Sequence, residues 1–375
     1  MAHLNSTNQS DLSSVFTNDV LPPLYFVIWI VGFFMNCLAA SIFVRLPTDS
    51  GLVVYLKNMV VADLLMLSTF PFKMAAQLGL GGWRLHVVIC RYTSVLFYSS
   101  MYVGILLMGF ISLERYVRMF GHASSTAASP SCGARFPRVS LPHLLQSVGF
   151  ARTLAFLTWS LLLLGVLPNV LLTSQPANET NSRKCMELKT PLGIQWHQAS
   201  TLFCTSLFWV TLLVLAFCYT SIACRVYQSY RRVRCNNINS KVCHKVHRSI
   251  FSLLLVFFIC FVPYHVCRVP YTMSQMPKSG FSYHSRFLLF QLKEGMLFLS
   301  AINVCLDPII YVLMCQTFRE SLIRKLSGRE RKRSPTTAQS QSLSRIYLGE
   351  ETRSGDVERR REGEETQEDK IPFNN

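Results

Sequence analysis

Apolar residues recur in seven long stretches, near residues 24–44, 52–74, 92–114, 151–173, 199–224, 249–272 and 288–313. Each comes close to the roughly 20 residues that a helix needs to cross a hydrocarbon core about 30 Å thick. Lipid offers no partner to an unpaired backbone N–H or C=O, so spans of this length are predicted as helices. The predicted fold is an all-α membrane protein, a seven-transmembrane helix bundle. Beyond the seventh stretch, Phe318, Leu322, Ile323 and Leu326 share one stripe with basic residues opposite. That pattern predicts a short amphipathic helix over 317–326, lying on the membrane surface. Residues 1–23 then read as an extracellular segment, 24–316 as the seven-transmembrane domain and 327–375 as a disordered cytoplasmic tail.

Composition supports one bundle with short loops, since 50% of the 375 residues are hydrophobic. A formal charge of +17 would suggest nucleic acid in a soluble protein, but here its location decides its meaning. Residues 1–23 hold no Lys or Arg, whereas Arg225, Arg231, Arg232, Arg234, Lys241, Lys245 and Arg248 crowd the loop between spans 5 and 6. The bias of basic loops toward the cytoplasm places the amino terminus outside and the carboxyl terminus inside a plasma membrane. Anionic lipid heads account for most of the basic charge, and aromatic interleaving suited to nucleic acid is absent from those runs. Membrane lipids are expected partners and nucleic acid is not. The polar first twenty residues leave the first span as the targeting signal.

Asn5, Asn8 and Asn178 each open a glycosylation acceptor pattern, and all three fall on segments assigned outside. Of 13 cysteines, Cys90 at the start of span 3 and Cys185 after span 4 are the two in clearly oxidising territory, which predicts a disulfide between them. Cys315, just past span 7, is a palmitoylation candidate. Cys235, Cys243, His244 and His247 match no standard zinc spacing. Residues 120–149 make a long second inner loop without hydrophobic periodicity. No internal repeat relates the spans, which argues against a transporter. Gly79-Leu80-Gly81-Gly82 follows no strand and is too short to cradle phosphate, and no nucleophile and base pair stands out, so neither an enzyme nor a cofactor is expected.

Ionisable and polar residues inside a span are costly and mark function. One layer comprises Asn36, Asp63, Glu114-Arg115-Tyr116, Trp159, Tyr219, Phe257 with Cys260-Phe261-Val262-Pro263, and Asn303 with Asp307-Pro308-Ile309-Ile310-Tyr311. One such landmark per span, in this order, resembles the rhodopsin-like G-protein-coupled receptors over residues 24–326. The resemblance implies a G-protein switch built from Glu114, Arg115, Tyr116, Tyr219, Asp307, Pro308 and Tyr311, with arrestin and receptor kinases as further partners. Glu114 neutralising Arg115 at rest, with Tyr219 and Tyr311 as later partners, would make a two-state element; a static ion pair is the alternative. The family often holds sodium at the place of Asp63, Asn303 and Asp307, although Gly104 stands where a hydroxyl is usual. Pro71, Pro168, Pro263 and Pro308 should kink their helices.

A second layer concerns the ligand. Phe97 stands where amine receptors carry Asp, and Ala301 where opsins carry the retinal Lys. Instead Lys73, Arg268 and Lys293 supply cations, and His265, Arg268 and Tyr271 recur every three residues. Cations in a partly dry mouth call for an anion, and phosphate suits a Lys and Arg cluster. The run from Cys260 to Thr272, with Lys293-Glu294 and Trp196-His197, is similar to the purinergic receptors for ADP and UDP-sugars. That resemblance places nucleotide contacts on Tyr98, Tyr102, His197, His265, Arg268, Tyr271 and Lys293, with Lys73 as a further phosphate partner. The expected function is a receptor for an extracellular phosphate-bearing small molecule that activates a heterotrimeric G protein, of the inhibitory class by family association. A lysophospholipid receptor is the nearer alternative and a membrane transporter the more distant one.

Overall fold

The structure, a computed structural model, describes residues 12, 14–125, 147–179, 181–182, 185–233, 240–276 and 279–327. Among the described residues, seven helical spans are long and apolar enough to cross a membrane. They are α1 (Phe16–Phe43), α2 (Gly51–Gln77), α3 (Gly82–Val88, a π turn over Ile89–Thr93, then Ser94–Ser125) and α4 (Val148–Leu171). α5 (Pro191–Val233), α6 (Ser240–Ser274) and α7 (Tyr283–Ala301, then Asn303–Met314) complete the bundle. A further helix, α8 (Gln316–Leu326), follows as the amphipathic pattern predicts. No strand occurs among the described residues.

Most helices outrun the apolar stretches that announced them. α1 begins with a π turn at Phe16 rather than near residue 24, and Thr17, counted among the extracellular residues, is buried. α7 begins at Tyr283, capped by Ser282, whose hydroxyl accepts the Ser285 N–H at 3.2 Å. Polar turns extend a helix beyond the apolar thickness once a cap satisfies its first N–H groups. Gly79, Gly81 and Gly82 adopt φ of 73°, 74° and 55°, the left-handed turn that reverses the chain between α2 and α3.

Consecutive helices pack in order, α7 returns to α1, and α3 lies at the centre against α2, α4 and α5. Polar side chains set the rotations. Trp159 Nε1 donates to Asn58 Oδ1 at 3.1 Å, tying α4 to α2. Asn36 Nδ2 reaches the Val304 carbonyl at 2.7 Å between α1 and α7, and Ser300 Oγ the Cys260 carbonyl at 2.8 Å between α7 and α6. Where water is excluded, a helix rotated away from such a bond leaves both groups unpaired. α3 meets α5 through Gly109, where an added Cβ would lie 2.9 Å from Thr211 Cγ2. Thr211 keeps its hydroxyl on the Leu207 carbonyl at 2.8 Å.

The chain forms two compact units, Met1–Leu322 with the bundle and Ile323–Asn375, of which the last turn of α8 and Ser327 are described. In the first unit Phe318 stacks on Phe43 with ring centroids 4.8 Å apart. Cys315, proposed from sequence as a palmitoylation position, is 5% exposed and packed into the core. Burial raises the pKa of its thiol. Cys235 and the side chains of Cys243, His244 and His247 lie outside the described set, as do Asn5, Asn8 and most of the tail. Asn178 is described and exposed.

Candidate functional site

The disulfide predicted from sequence joins Cys90, in the π turn of α3, to Cys185, with Cα atoms 5.2 Å apart. It draws the segment between α4 and α5 over one end of the bundle. Arg91 reinforces this by donating to the Gln175 carbonyl at 2.9 Å. Beneath the segment lies a cavity of about 1420 Å³.

Seven of the eight residues expected to contact a ligand line this cavity: Lys73, Tyr98, Tyr102, His197, Arg268, Tyr271 and Lys293. The eighth, His265, does not. It is 1% exposed and lies behind the wall, stacked on Phe208 with centroids 3.7 Å apart, with Nε2 3.1 Å from the Tyr102 hydroxyl. Three-residue spacing steps a side chain back by about 60° each time round a helix, so 265 and 271 face different neighbours. His265 therefore meets Tyr102 from behind the wall rather than lining the mouth.

The cations differ in what already holds them. Glu294 lies between two of them: Lys73 Nζ is 2.8 Å from its Oε2, and its Oε1 pairs with Lys293. Both lysines also rest on aromatic faces, Lys73 at 4.8 Å from the Tyr25 ring and Lys293 at 4.9 Å from that of Tyr271. Arg268 is otherwise. Its guanidinium sits over Tyr98 at 4.8 Å and Tyr264 at 6.0 Å, it is 8% exposed, and no carboxylate is within ion-pair distance among the described residues. A second cation of this kind, absent from the sequence-based set, is Lys189. It lines the cavity, is buried, and donates to Thr173 Oγ1 at 3.1 Å. Burial lowers its pKa from 10.5 to about 8. Lys189 lies four residues beyond Cys185, so the disulfide that pins Cys185 also delivers it to the mouth; Glu294 was visible as an acid within a span beside Lys293.

At midspan, Asp63 accepts the Tyr311 hydroxyl at 2.8 Å and meets the Asp307 carboxyl. Asn303 Nδ2 is 3.5 Å from Asp307 Oδ2, while Asn303 Oδ1 and Asp307 Oδ1 have no protein partner. Two facing carboxyls with spare amide and carboxyl oxygens form an all-oxygen set of the kind a hard monovalent cation takes. Gly104 contributes no hydroxyl, and a Cβ added there would meet no atom within 4 Å.

At the end opposite the disulfide, the expected Glu114–Arg115 pair is not formed. Glu114 Oε1 pairs with Arg118 at 2.5 Å, and Arg115 donates to the Met314 carbonyl of α7 at 3.0 Å. Neighbours in a helix diverge, whereas residues four apart stack, so Arg118 is the reachable cation for Glu114. The Tyr219 hydroxyl accepts from Ser112 Oγ at 2.8 Å, Tyr311 is engaged at Asp63, and Tyr116 stacks on Phe120 at 4.6 Å. Pro308 lies inside the lower part of α7.

Residues 35–132 and 140–311 match the family described as 7 transmembrane receptor (rhodopsin family). Purinoceptor 14 of Bos taurus is 42% identical over 314 residues, covering 84% of this chain and 87% of that protein. G-protein coupled receptor 87 of Mus musculus is 37% identical over 349 residues, 92% of each chain. Purinoceptor 13 of Homo sapiens is 35% identical over 331 residues, 88% of this chain and 87% of that one.

Proposed function

Because the chain belongs to the rhodopsin family of seven-transmembrane receptors, as a G-protein-coupled receptor of the purinoceptor type, we propose that its cavity takes an extracellular nucleotide or nucleotide sugar. It is a multi-pass plasma-membrane receptor rather than an enzyme. In this reading the disulfide end faces outward, where thiols oxidise and Asn178 can be glycosylated. The opposite end engages a heterotrimeric G protein of the inhibitory class, with arrestin and receptor kinases acting on the cytoplasmic side.

Arg268 is the observation that carries the ligand reading. A guanidinium buried over two tyrosines with no acidic partner among the described residues bears a desolvation cost that a ligand anion would offset. Its planar fork suits phosphate, and the tyrosine faces around it suit a flat base. Tyr98, Tyr102, His197, Tyr271, Lys189, Lys293 and Lys73 surround the same space.

The test is G-protein activation in cells expressing the chain, against ADP, UDP-glucose and lysophosphatidic acid. A response to either nucleotide that an acyl-chain analogue does not compete supports the assignment. A response confined to the lysophospholipid transfers the same cations to a lipid phosphate and overturns the nucleotide reading.

A further inference from the structure

The Glu294 carboxylate is the least expected group in a cavity read as an anion site. Both of its oxygens are occupied, one by Lys73 of α2 and one by Lys293 beside it on α7. All three residues line the cavity, and the side chains of Lys293 and Glu294 are 9% and 10% exposed. Two ammonium groups held this close in a dry mouth would repel strongly if nothing stood between them. The protein supplies that anion itself.

We propose that Glu294 is a tethered counter-anion, a specificity-determining residue whose carboxylate holds the place between Lys73 and Lys293 that an anionic group of the ligand takes. The identity of that group as phosphate rests on the nucleotide reading above. Binding is then an exchange: the ligand anion moves onto the two lysines and Glu294 swings away from them. A tethered group competes at a high effective concentration, so an incoming anion must do more than match it. A monoanion replaces one negative charge with one and gains little. A diphosphate brings several charges and also reaches Arg268, which has no carboxylate to displace among the described residues. Glu294 thus sets a floor on the charge that a ligand must carry, while keeping the empty site free of bare like charges.

The experiment uses the purified full-length receptor in detergent, with inorganic pyrophosphate as the probe and ionic strength held constant with potassium chloride. Thermal unfolding is followed as the probe is titrated. In Glu294→Gln the concentration giving half of the stabilisation should fall about tenfold or more below that of the unsubstituted receptor. Acetate, a monoanion, should stabilise the variant and not the parent.

If Glu294→Gln does not fold, the comparison moves to the Lys73→Gln background. There, adding Glu294→Gln uncovers Lys293 without leaving two facing lysines, and the pyrophosphate curve should again shift to lower concentration. Coincident curves with and without Glu294 in the background that folds would overturn the proposal. No receptor agonist enters this measurement. Silence toward ADP and UDP-glucose in cells would therefore count against the nucleotide reading alone, and coincident pyrophosphate curves against the counter-anion alone.

Discussion

Replacing Arg268 by Ala tests the ligand site at the residue with the most to gain from an anion. Its guanidinium is 8% exposed and lies 4.8 Å from the Tyr98 ring. A phosphate accepting both arms of the fork makes two charge-assisted hydrogen bonds, each worth about 1.5–3 kcal/mol. The cavity opens to solvent, so the lower figure applies and the pair is worth about 3 kcal/mol. At about 1.4 kcal/mol per decade, agonist potency should fall roughly a hundredfold. Arg268→Lys keeps the charge but loses the fork and the flat contact with tyrosine, so about tenfold is expected.

Neither change strips a carboxylate of its partner, since none lies within ion-pair distance of Arg268 among the described residues. Surface expression should accordingly hold. The assay is agonist-stimulated GTPγS binding to membranes, with UDP-glucose and ADP as agonists and uridine as the phosphate-free control. A potency for Arg268→Ala within about threefold of the parent for a phosphate agonist would refute the reasoning, because an anion resting on Arg268 cannot lose its fork so cheaply.

Lys189 makes the mouth sensitive to alkaline pH. Its pKa is lowered by burial from 10.5 to about 8, so the unfolded chain holds that proton more tightly and folding stability rises with pH between those values. A ligand anion favours the charged amine, so agonist potency should fall as pH rises through about 8 to 9, and Lys189→Met should flatten the profile; a parent profile already flat across that interval would refute it. Gly104→Ser should fold normally, since its Cβ meets no atom within 4 Å, and it restores the hydroxyl usual for the family's sodium position. Agonist potency should then depend on sodium chloride against N-methylglucamine chloride in the variant more than in the parent, and equal dependence would sink the idea. Gly109→Ala should destabilise the purified receptor by about 1–3 kcal/mol, because the new methyl would lie 2.9 Å from Thr211 Cγ2. Thr211→Ser removes that carbon and keeps a hydroxyl for Leu207, so the double variant should recover the melting temperature, and its failure to do so would refute the steric account.

The spans were legible because lipid permits only helices and closed barrels, and a continuous apolar run of about 20 residues selects the helix. Helix ends were not, because the turns beyond the apolar core depend on caps such as Ser282 and on packing such as that of Thr17, which hydropathy does not register. Seven cavity residues were named through the family resemblance, but the state of each cation was not legible. Lys73 and Lys293 read as free charges until Glu294 was seen between them, whereas Arg268 proved the less satisfied group. His265 lies off the cavity lining for a geometric reason, since a spacing of three drifts around the helix and turns it toward Phe208. The same logic separated Glu114 from Arg115: adjacency in sequence brought them near in number and apart in direction, and Arg118 took the carboxylate.

α7 is where these local facts join. Its upper part carries Lys293 and Glu294 in the cavity, and Ile302, a turn residue with helical φ and ψ, joins it to the lower part that starts at Asn303. Its lower part is held by Asn36 at the Val304 carbonyl and by Asp63 at Tyr311, and its Met314 carbonyl holds Arg115. The Ile302 N–H stays on the Phe298 carbonyl at 3.2 Å, so the two parts are continuous and a shift of one is passed to the other. An anion that releases Lys73 from Glu294 unties the upper half of α7 from α2, and Asp63 remains as the tie on the lower half. Movement can reach Arg115 through that lower half, because Met314 belongs to it. Signalling by this route requires the bond from Arg115 to a main-chain carbonyl to exchange for a contact with the G protein. A carbonyl bond is easier to give up than the carboxylate pair expected from sequence, since breaking it strands no buried anion. The arrangement with Glu114 on Arg118 therefore leaves Arg115 the more readily released of the two arginines.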